Sequence, residues 1–223
     1  MIVTIDGPAG SGKSTVARQL ARRLGFRFLD TGAMYRAVAW YLQNRGIDAD
    51  DDSAVSGALE NLNIGIDGET VTVNGQDVTR LIRSADVSRQ SSVVASKADV
   101  RQFLVRQQRE IAREGQVVCE GRDQGTVVFP DAPCKFFLDA PPEVRARRRW
   151  LELKQTDPRV SLDQVIADQK IRDQRDETRA VGRLVRAVDA LEIDVGQLTL
   201  QEIVQRMVQA VEETIAGEAA GEA

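Results

Sequence analysis

The sequence has 223 residues and a formal net charge of −4, with 42% hydrophobic and 29% charged residues. This composition is ordinary for a globular protein, and the acidic balance argues against a nucleic-acid-binding surface. Histidine is absent and the two cysteines lack zinc-ligand spacing, which excludes His-dependent catalytic triads and His-ligated metals. With no leader-like or membrane-length apolar segment, we expect a cytoplasmic monomer whose two thiols are reduced and buried.

The first part of the chain alternates strands with helices. In chain order the pattern predicts a buried strand over 1–6, a glycine-rich turn over 7–12, a helix with apolar residues at Val16, Leu20 and Leu24, a strand over 26–29 and a helix over 33–44. Gly25 follows the first helix, where a C-terminal glycine is common. This alternation is typical of a parallel sheet with right-handed crossovers, so we predict an α/β fold.

The middle of the chain has a different pattern. A charged stretch over 48–52 precedes a helix to Leu62, and apolar residues then alternate around Asp67-Gly68 as in a β-hairpin. Residues 86–114 are predicted to be mostly helical, with a break near Ser96. We interpret residues 45–114 as an insertion folded beside the main sheet.

The α/β pattern then resumes. It predicts strands over 116–119, 135–138 and 191–194, and helices starting at Pro142 and spanning 161–178 and 199–215. Pro158 interrupts the helical pattern, which predicts a short lid over 154–170. We therefore expect a single domain whose core comprises 1–44, 115–153 and 180–216, with 217–223 as a flexible tail.

The glycine-rich turn fits a phosphate-binding loop. Gly7, Gly12, Lys13 and Ser14 match every fixed position of G-x-x-x-x-G-K-[ST], with a predicted strand before it and a helix after it. Glycines let backbone N–H groups converge on phosphate oxygens, and the helix directs its positive end at the same anion. Lys13 is expected to neutralise β- and γ-phosphate charge, and the Ser14 hydroxyl to ligate Mg²⁺. The residues predicted to bind ATP are Gly7, Pro8, Ala9, Gly10, Ser11, Gly12, Lys13, Ser14 and Thr15.

Such a loop occurs in kinases, switch GTPases and motor ATPases. The guanine-reading N/T-K-x-D sequence of switch GTPases is absent, and the chain is short for a motor module. Arginines elsewhere point to a second anionic ligand. Arg122 and Asp123 follow a predicted strand, where α/β proteins bind ligands. Charged residues over 172–179 recur at three- and four-residue spacings on one helix, which fits either part of that site or a solvated, salt-bridged face.

Four segments together resemble the bacterial cytidylate kinase family, in the family's order and spacing and over nearly the whole chain. They are Gly7–Thr15, Leu29–Arg36 (LDTGAMYR), Gly121–Pro130 (GRDQGTVVFP) and Arg172–Arg179. The resemblance implies a three-layer P-loop NTPase fold, a parallel sheet flanked by helices, with a small monophosphate-binding insertion and a short lid. It implies transfer of the terminal phosphate of ATP, with Mg²⁺, to CMP or dCMP, without a nucleic-acid or membrane partner.

The resemblance also implies roles for individual residues. Those predicted to bind CMP are Thr31, Tyr35, Arg36, Ser92, Arg101, Arg122, Asp123, Arg172, Asp176 and Arg179. The two arginines Arg36 and Arg122 are expected on the phosphate, and Ser92, Arg101 and Asp123 at the cytosine. The predicted catalytic residues are Lys13 and four arginines: Arg122, Arg148, Arg149 and Arg159.

One position departs from the family pattern, because Glu120 stands where several relatives have Asp. We expect it to contribute to Mg²⁺ binding through a water molecule. Asp123 has an independent chemical rationale, since a carboxylate accepts from the N4 amino group of cytosine and would face the O4 acceptor of uracil. Two alternatives remain: another P-loop kinase, acting on shikimate or a different monophosphate, and a nucleotide-binding regulator without transferase activity.

Overall fold

A computed structural model of the protein describes residues 1–155 and 157–221, apart from the side chains of 218–221. Residues 1–28 and 115 onward form one compact unit, and residues 29–114 form a second. In chain order the elements are β1 (Ile2–Asp6), α1 (Lys13–Leu24), β2 (Arg27–Asp30), α2 (Thr31–Asn44), α3 (Asp52–Leu59), β3 (Ile64–Asp67), β4 (Thr70–Val73), β5 (Gln76–Asp77), α4 (Ala85–Val94), α5 (Ala98–Arg113), β6 (Val117–Gly121), β7 (Cys134–Asp139), α6 (Pro142–Lys154), α7 (Leu162–Thr178), β8 (Leu191–Asp194) and α8 (Leu200–Gly221).

The main sheet has the strand order β2-β6-β1-β7-β8. The central strand β1 pairs in parallel with both β6 and β7, and β8 pairs in parallel with β7. In this register the last residue of β1, Asp6, lies opposite Gly121 of β6 and Phe137 of β7. Because parallel strands end at the same edge, the segments that follow β1 and β6 emerge side by side, which is the usual position of ligand sites in α/β sheets.

Apolar residues of the sheet and two helices form the core of the first unit. Val3 and Ile5 of β1 cluster with Leu20 of α1 and with Met207 and Val211 of α8, all of them buried. Gly25 ends α1 in a left-handed conformation, as its position after the last apolar residue predicts. The predicted α/β fold, with a parallel sheet flanked by helices, is confirmed.

Helices α6 and α7 of the first unit pack against each other and flank the segment around Pro158. Ser161 begins α7 with a capping box, in which its hydroxyl accepts from the backbone N–H of Gln164 and the Gln164 side chain accepts from the Ser161 N–H. The predicted lid over 154–170 therefore includes the last residue of α6 and the first half of α7, and the described residues between these two helices are non-helical. Residue 156 lies outside the described residues.

The second unit combines the hairpin with four helices. Strands β3 and β4 pair antiparallel around Asp67-Gly68, as predicted, and β5 adds a short third strand that the sequence pattern did not reveal. The unit begins at Leu29 rather than at residue 45. The reason is α2, whose buried Met34 and Val38 belong to a helix that packs on α4, α5 and β4 within this unit.

Two further differences concern local structure. The last helix continues to Gly221, whereas the sequence interpretation ended it at 215 and assigned 217–223 to a tail. Three alanines within 216–221 favour helix strongly enough to outweigh Gly217. Residues 222 and 223 lie outside the described residues. Gln124–Val128 form a π-helical turn that the sequence did not predict. No helix within the described residues is long and apolar enough to cross a membrane.

Candidate active site

The loop between β1 and α1 has the backbone of a phosphate-binding loop. Gly7, Gly10 and Gly12 all have positive φ angles, of 155°, 77° and 84°. At Gly7 a side chain is excluded by contact as well, because a Cβ there would lie 2.1 Å from the carbonyl oxygen of Leu138 on β7. The loop thus needs glycine both for its conformation and for its close approach to the neighbouring strand.

Lys13 is buried at the start of α1. Its Nζ donates to the carbonyl oxygen of Pro8 at 3.0 Å, which folds the side chain back over the loop. Burial and the nearby positive charge of Arg122 together lower the pKa of Lys13 to about 7, and the charge of Glu120 partly opposes them. A lysine held in this way is strained electrostatically until an anion arrives, because a phosphate would stabilise its charged form.

Ser14 and Glu120 form a polar pair beside the loop. The Ser14 hydroxyl donates to Oε1 of Glu120 at 2.8 Å, and Glu120 is itself buried at the end of β6. A hydroxyl and a carboxylate are oxygen ligands of the kind that Mg²⁺ prefers. The donor set therefore fits the predicted metal site, with Ser14 as a direct ligand and Glu120 as either a ligand or the acceptor of a bound water.

An enclosed network is formed by Arg122, Asp176 and Arg179, whereas Arg175 of α7 is exposed. The spacing over 172–179 is therefore not that of a wholly solvated face, and the assignment of these residues to CMP stays a prediction. Oδ2 of Asp176 accepts from Nε of Arg122 at 2.7 Å, and Nη1 of Arg179 lies 3.5 Å from Oδ1 of the same carboxylate. The side chains of Arg179 and Asp176 are only 6% and 9% exposed. Although burial acts in the opposite direction, the charges of Arg122 and Arg179 lower the pKa of Asp176.

This network also lies close to the phosphate loop. Arg122 and Arg172 both lower the pKa of Lys13 through their charge. The charges of Arg122 and Arg172 therefore act on the lysine of the phosphate loop, while the binding of CMP by these arginines stays a prediction.

Asp123 is buried at the start of the π-helical turn. Its carbonyl oxygen accepts from the N–H groups of Val127 and Val128 at 2.9 and 3.1 Å. Asp6, the last residue of β1, holds this turn in place. Its two carboxylate oxygens accept from the N–H groups of Gln124 and Gly125 at 2.9 and 2.8 Å.

Burial raises the pKa of Asp6 to about 6 against the effect of these two amides, and the charge of Asp123 adds to the increase. Asp6 was not among the sequence-predicted site residues. Nothing in its local sequence indicates that it supports a turn 118 positions away.

Three further residues of the first unit support the loop and were also missed as site residues. Arg145 and Gln169 donate to the carbonyl oxygen of Ala9 at 2.9 and 2.7 Å, and Arg145 also donates to Oδ2 of Asp173 at 2.7 Å. Arg145 lies within an arginine-rich segment, so nothing in the local sequence distinguishes it from the neighbouring arginines.

Three of the four predicted catalytic arginines have partners away from the phosphate loop. Arg148 donates to the carbonyl oxygen of Val195 at 2.7 Å, and Arg149 pairs with Glu152 of its own helix at 3.0 Å. Arg159 pairs with Asp157 at 3.1 Å, and its side chain is 91% exposed. Their assignment to the transferring phosphate stays a prediction.

The second unit contributes its own group of predicted residues at the start of α2. Asp30 caps this helix by accepting from the N–H of Ala33 at 2.8 Å, and its other oxygen accepts from Nη2 of Arg36 at 3.0 Å. Gly32 leaves room for that pair, because a Cβ there would lie 3.2 Å from Nη1 of Arg36. Thr31 is buried within the same helical turn.

Arg101, Tyr35 and Ser92 are the remaining predicted residues of the second unit. Arg101 is only 2% exposed, and its guanidinium lies over the ring of Tyr35 at 5.8 Å from the ring centre, within cation–π range. Nη1 of Arg101 donates to the carbonyl oxygen of Ala95 at 3.4 Å. The Ser92 hydroxyl is buried and has no hydrogen-bond partner among the described residues, so it is able to accept or donate to a ligand.

Comparison with known proteins identifies the family. The family model described as cytidylate kinase matches residues 3–213. A cytidylate kinase of Geobacter sulfurreducens is 47% identical over 217 residues, which cover 96% of this chain and 93% of that protein. A cytidylate kinase of Fervidobacterium nodosum is 44% identical over 211 residues, covering 95% and 96% of the two chains. The chain belongs to the cytidylate kinase family.

A comparison of solved structures supports the fold alone. The crystal structure of an uncharacterized protein from Eubacterium ventriosum superposes with a TM-score of 0.53, covering 95% of this chain and 98% of that one. Its sequence is only 14% identical. The likeness therefore extends to the α/β architecture and carries no information about the acceptor.

Proposed function

We propose that this cytidylate kinase family member transfers the γ-phosphate of ATP to CMP, and also to dCMP, releasing ADP. The observation that carries the proposal is the family match over residues 3–213, which spans both the phosphate loop and the residues assigned to the monophosphate. The site's chemistry agrees with it. Phosphoryl transfer depends on positioning and charge stabilisation rather than on a side-chain nucleophile, and this chain supplies lysine, arginine and backbone N–H groups for both.

The bonds that change belong to the two substrates. An oxygen of the CMP phosphate forms a bond to the γ-phosphorus, and the bond from that phosphorus to the β,γ-bridging oxygen breaks, leaving its electron pair on ADP. The acceptor phosphate is already anionic near neutral pH, so no general base is needed. Lys13 is well placed to stabilise the charge that spreads over the transferring group, because it is buried at the loop and its charged form gains from a nearby anion.

Mg²⁺ would be held at Ser14 and Glu120 together with the phosphates of ATP. When bound, it would neutralise phosphate charge and hold the β- and γ-phosphates in a reactive orientation. The chain's own contribution is the Ser14–Glu120 pair, which keeps the hydroxyl at the first turn of α1 in a fixed position. The longer side chain of glutamate, compared with the aspartate of several relatives, reaches Ser14 directly.

Base recognition is assigned to residues of each unit. In the first unit the buried Asp123 offers an acceptor that suits the N4 amino group of cytosine, and uracil presents an acceptor at the same position. In the second unit Arg101 offers a buried guanidinium and Ser92 a hydroxyl, which suit the O2 and N3 acceptors of cytosine. Arg36 and Arg122 would bind the phosphate of CMP, because their forked guanidinium groups match its oxygens.

The proposal is tested by measuring ADP release with ATP and Mg²⁺ against CMP, dCMP, UMP, AMP and shikimate. We expect CMP and dCMP to be the best acceptors, with CDP or dCDP as the product. Preference for shikimate or AMP would instead identify a different small-molecule kinase. Binding of both ATP and CMP without ADP formation would identify a non-catalytic regulator. That the enzyme acts as a cytoplasmic monomer, without a nucleic-acid partner, stays a prediction.

A further inference from the structure

The peptide bond between Ala9 and Gly10 in the phosphate loop is held by two helices. The Ala9 carbonyl oxygen accepts from Nη1 of Arg145 on α6 at 2.9 Å and from Nε2 of Gln169 on α7 at 2.7 Å. Both donors are buried, with 5% and 8% of their surface exposed. Two side chains that are 136 and 160 positions away in sequence therefore converge on one backbone oxygen.

The orientation of this peptide decides which of its polar groups a phosphate meets. In a trans peptide the carbonyl and the following N–H point in opposite directions, so a carbonyl tied toward α6 and α7 directs the N–H of Gly10 away from them. The reverse orientation would present an oxygen to the anion and repel it. Gly10, with a φ of 77°, offers little resistance to such a rotation because it has no side chain.

The two donors are themselves fixed. Nε of Arg145 donates to the carbonyl oxygen of Ala140 at 3.0 Å, and its Nη1 also donates to Asp173 on α7 at 2.7 Å. A Cβ on Gly10 would lie 3.0 Å from Nε2 of Gln169 and 3.0 Å from the carbonyl oxygen of Arg145. Glycine at this position is thus required for the close approach of both helices.

We propose that Arg145 and Gln169 are positioning residues for ATP, which hold the Ala9–Gly10 peptide so that the loop presents an N–H to the phosphates. Neither residue belongs to the phosphate-loop motif. The arrangement requires α6 and α7 to be correctly packed, so it links the helix pair around Pro158 to the affinity of the loop for phosphate. The inference rests on the proposed function only in taking ATP as the ligand of the loop.

The main test compares Gln169→Met with Gln174→Met. Methionine matches glutamine in size but cannot donate, and Gln174 is an exposed residue of the same helix, which makes it a matched control. We expect Gln169→Met to bind ATP about tenfold more weakly by isothermal titration, since one of the two hydrogen bonds that orient the peptide is lost and only that of Arg145 remains. The KM for ATP should rise in parallel while the KM for CMP stays unchanged, and Gln174→Met should match the native protein.

Inorganic tripolyphosphate separates a role in the loop from a contact with the nucleoside. Used as an inhibitor competitive with ATP, it should lose affinity for Gln169→Met by the same factor as ATP. Native-like ATP affinity of Gln169→Met would overturn the proposal. An unchanged inhibition constant for tripolyphosphate would also overturn it, as would an equal rise in the KM values of both substrates, which indicates general loosening.

A second variant, Arg145→Lys, keeps the positive charge but lacks the planar guanidinium, whose Nε donates to Ala140 while its Nη1 donates to Ala9 and Asp173. We expect weaker ATP and tripolyphosphate binding here too, with an unchanged KM for CMP. Thermal unfolding checks that each variant folds. If Arg145→Lys does not fold, the proposal is judged on the ATP affinity of Gln169→Met alone. Binding of ATP is measured without an acceptor, so it does not depend on the proposed reaction. If the native protein makes no CDP, the proposed function is wrong, but the binding test of Arg145 and Gln169 remains valid.

Discussion

Charged side chains are buried to different extents in two regions of the molecule, the phosphate loop of the first unit and the start of α2 in the second unit. Around the loop, Lys13 is buried and its pKa is lowered to about 7, while Arg122 is paired with a carboxylate, Asp176, that is almost fully enclosed. At the start of α2, Arg36 and Asp30 form a pair that stays 22% and 17% exposed. The loop region is therefore assembled in advance at an electrostatic cost, whereas the α2 region retains contact with solvent and costs less.

This difference has a functional meaning under the proposed reaction. Charge developing on a transferring phosphate is stabilised best by groups that are already dehydrated and oriented. An acceptor nucleotide needs recognition more than reactivity, and the partly exposed Arg36–Asp30 pair can exchange its partner for a phosphate at lower cost than a buried pair. We therefore expect substitutions at the loop to affect turnover most strongly and substitutions at α2 to affect mainly the KM for CMP.

The largest expected effect is that of Lys13→Ala. Removing the buried charge should lower kcat/KM by about 10³-fold or more, by analogy with the arginine fingers of other phosphoryl-transfer sites, which contribute on that scale. A coupled ADP-release assay measures it. Lys170→Ala, at an exposed position of α7, is the matched control and should keep native activity. Near-native activity of Lys13→Ala would remove the distinction between the two regions altogether.

The next effect concerns the choice of base. Asp123→Ala should reduce the preference for CMP over UMP by about 100-fold, because a site built to accept a hydrogen bond discriminates strongly against an analogue without the donor. The relevant measurement is kcat/KM for the two acceptors. Asp163→Ala, in the exposed first turn of α7, serves as a control. If the preference is unchanged while both rates fall, Asp123 supports the π-helical turn and does not read the base.

The sequence predicted the phosphate loop better than it predicted the residues that support it. The phosphate loop was predictable because strand, glycine turn, Lys13 and helix are contiguous, and each element follows from local chemistry. The residues that support the loop and the neighbouring π-helical turn could not be predicted. Gln169 contacts Ala9 across 160 positions, and Asp6 holds a turn 118 positions away. No local pattern indicates such contacts.

The boundary of the second unit also could not be predicted from local sequence. Helix α2 follows β2 without a break, so its sequence gives no reason to separate it from the core at Leu29. Its membership of the second unit results from packing on α4 and the hairpin strand β4, which only the folded chain reveals. The residues of LDTGAMYR were identified by resemblance, and the cap that Asp30 provides to Ala33 explains part of that pattern.

A smaller effect should distinguish the α2 region. Arg36→Lys keeps the charge but loses the forked geometry, so the KM for CMP should rise about tenfold with little change in the KM for ATP. Arg83→Lys, an exposed arginine of the same unit, is the control and should behave like the native protein. A fall in kcat with an unchanged KM for CMP would contradict the proposed division, because it would place Arg36 in the chemical step.

The last expected effect is on stability rather than on catalysis, and it follows from the lowered pKa of Lys13. Below about pH 7 the lysine is protonated in both the folded and the unfolded chain, so the full cost of burying its charge is present. Between pH 7 and the ordinary pKa of 10.5, the unfolded chain still binds a proton that the folded chain has lost. Stability contributed by this group therefore rises with pH across that window.

Lys13→Met removes the buried charge and with it this dependence. In the absence of nucleotide the variant should be more stable than the native protein at pH 6, and its advantage should shrink by up to about 1.4 kcal/mol for each pH unit above 7. Denaturant unfolding at pH 6, 7.5 and 9 measures the difference, in which other titrating groups largely cancel. Because ATP stabilises the charged lysine, saturating ATP should reverse the order at pH 6. A difference that does not vary with pH would mean that Lys13 is not electrostatically strained in the free enzyme, and the contrast between the two regions would then rest on geometry alone.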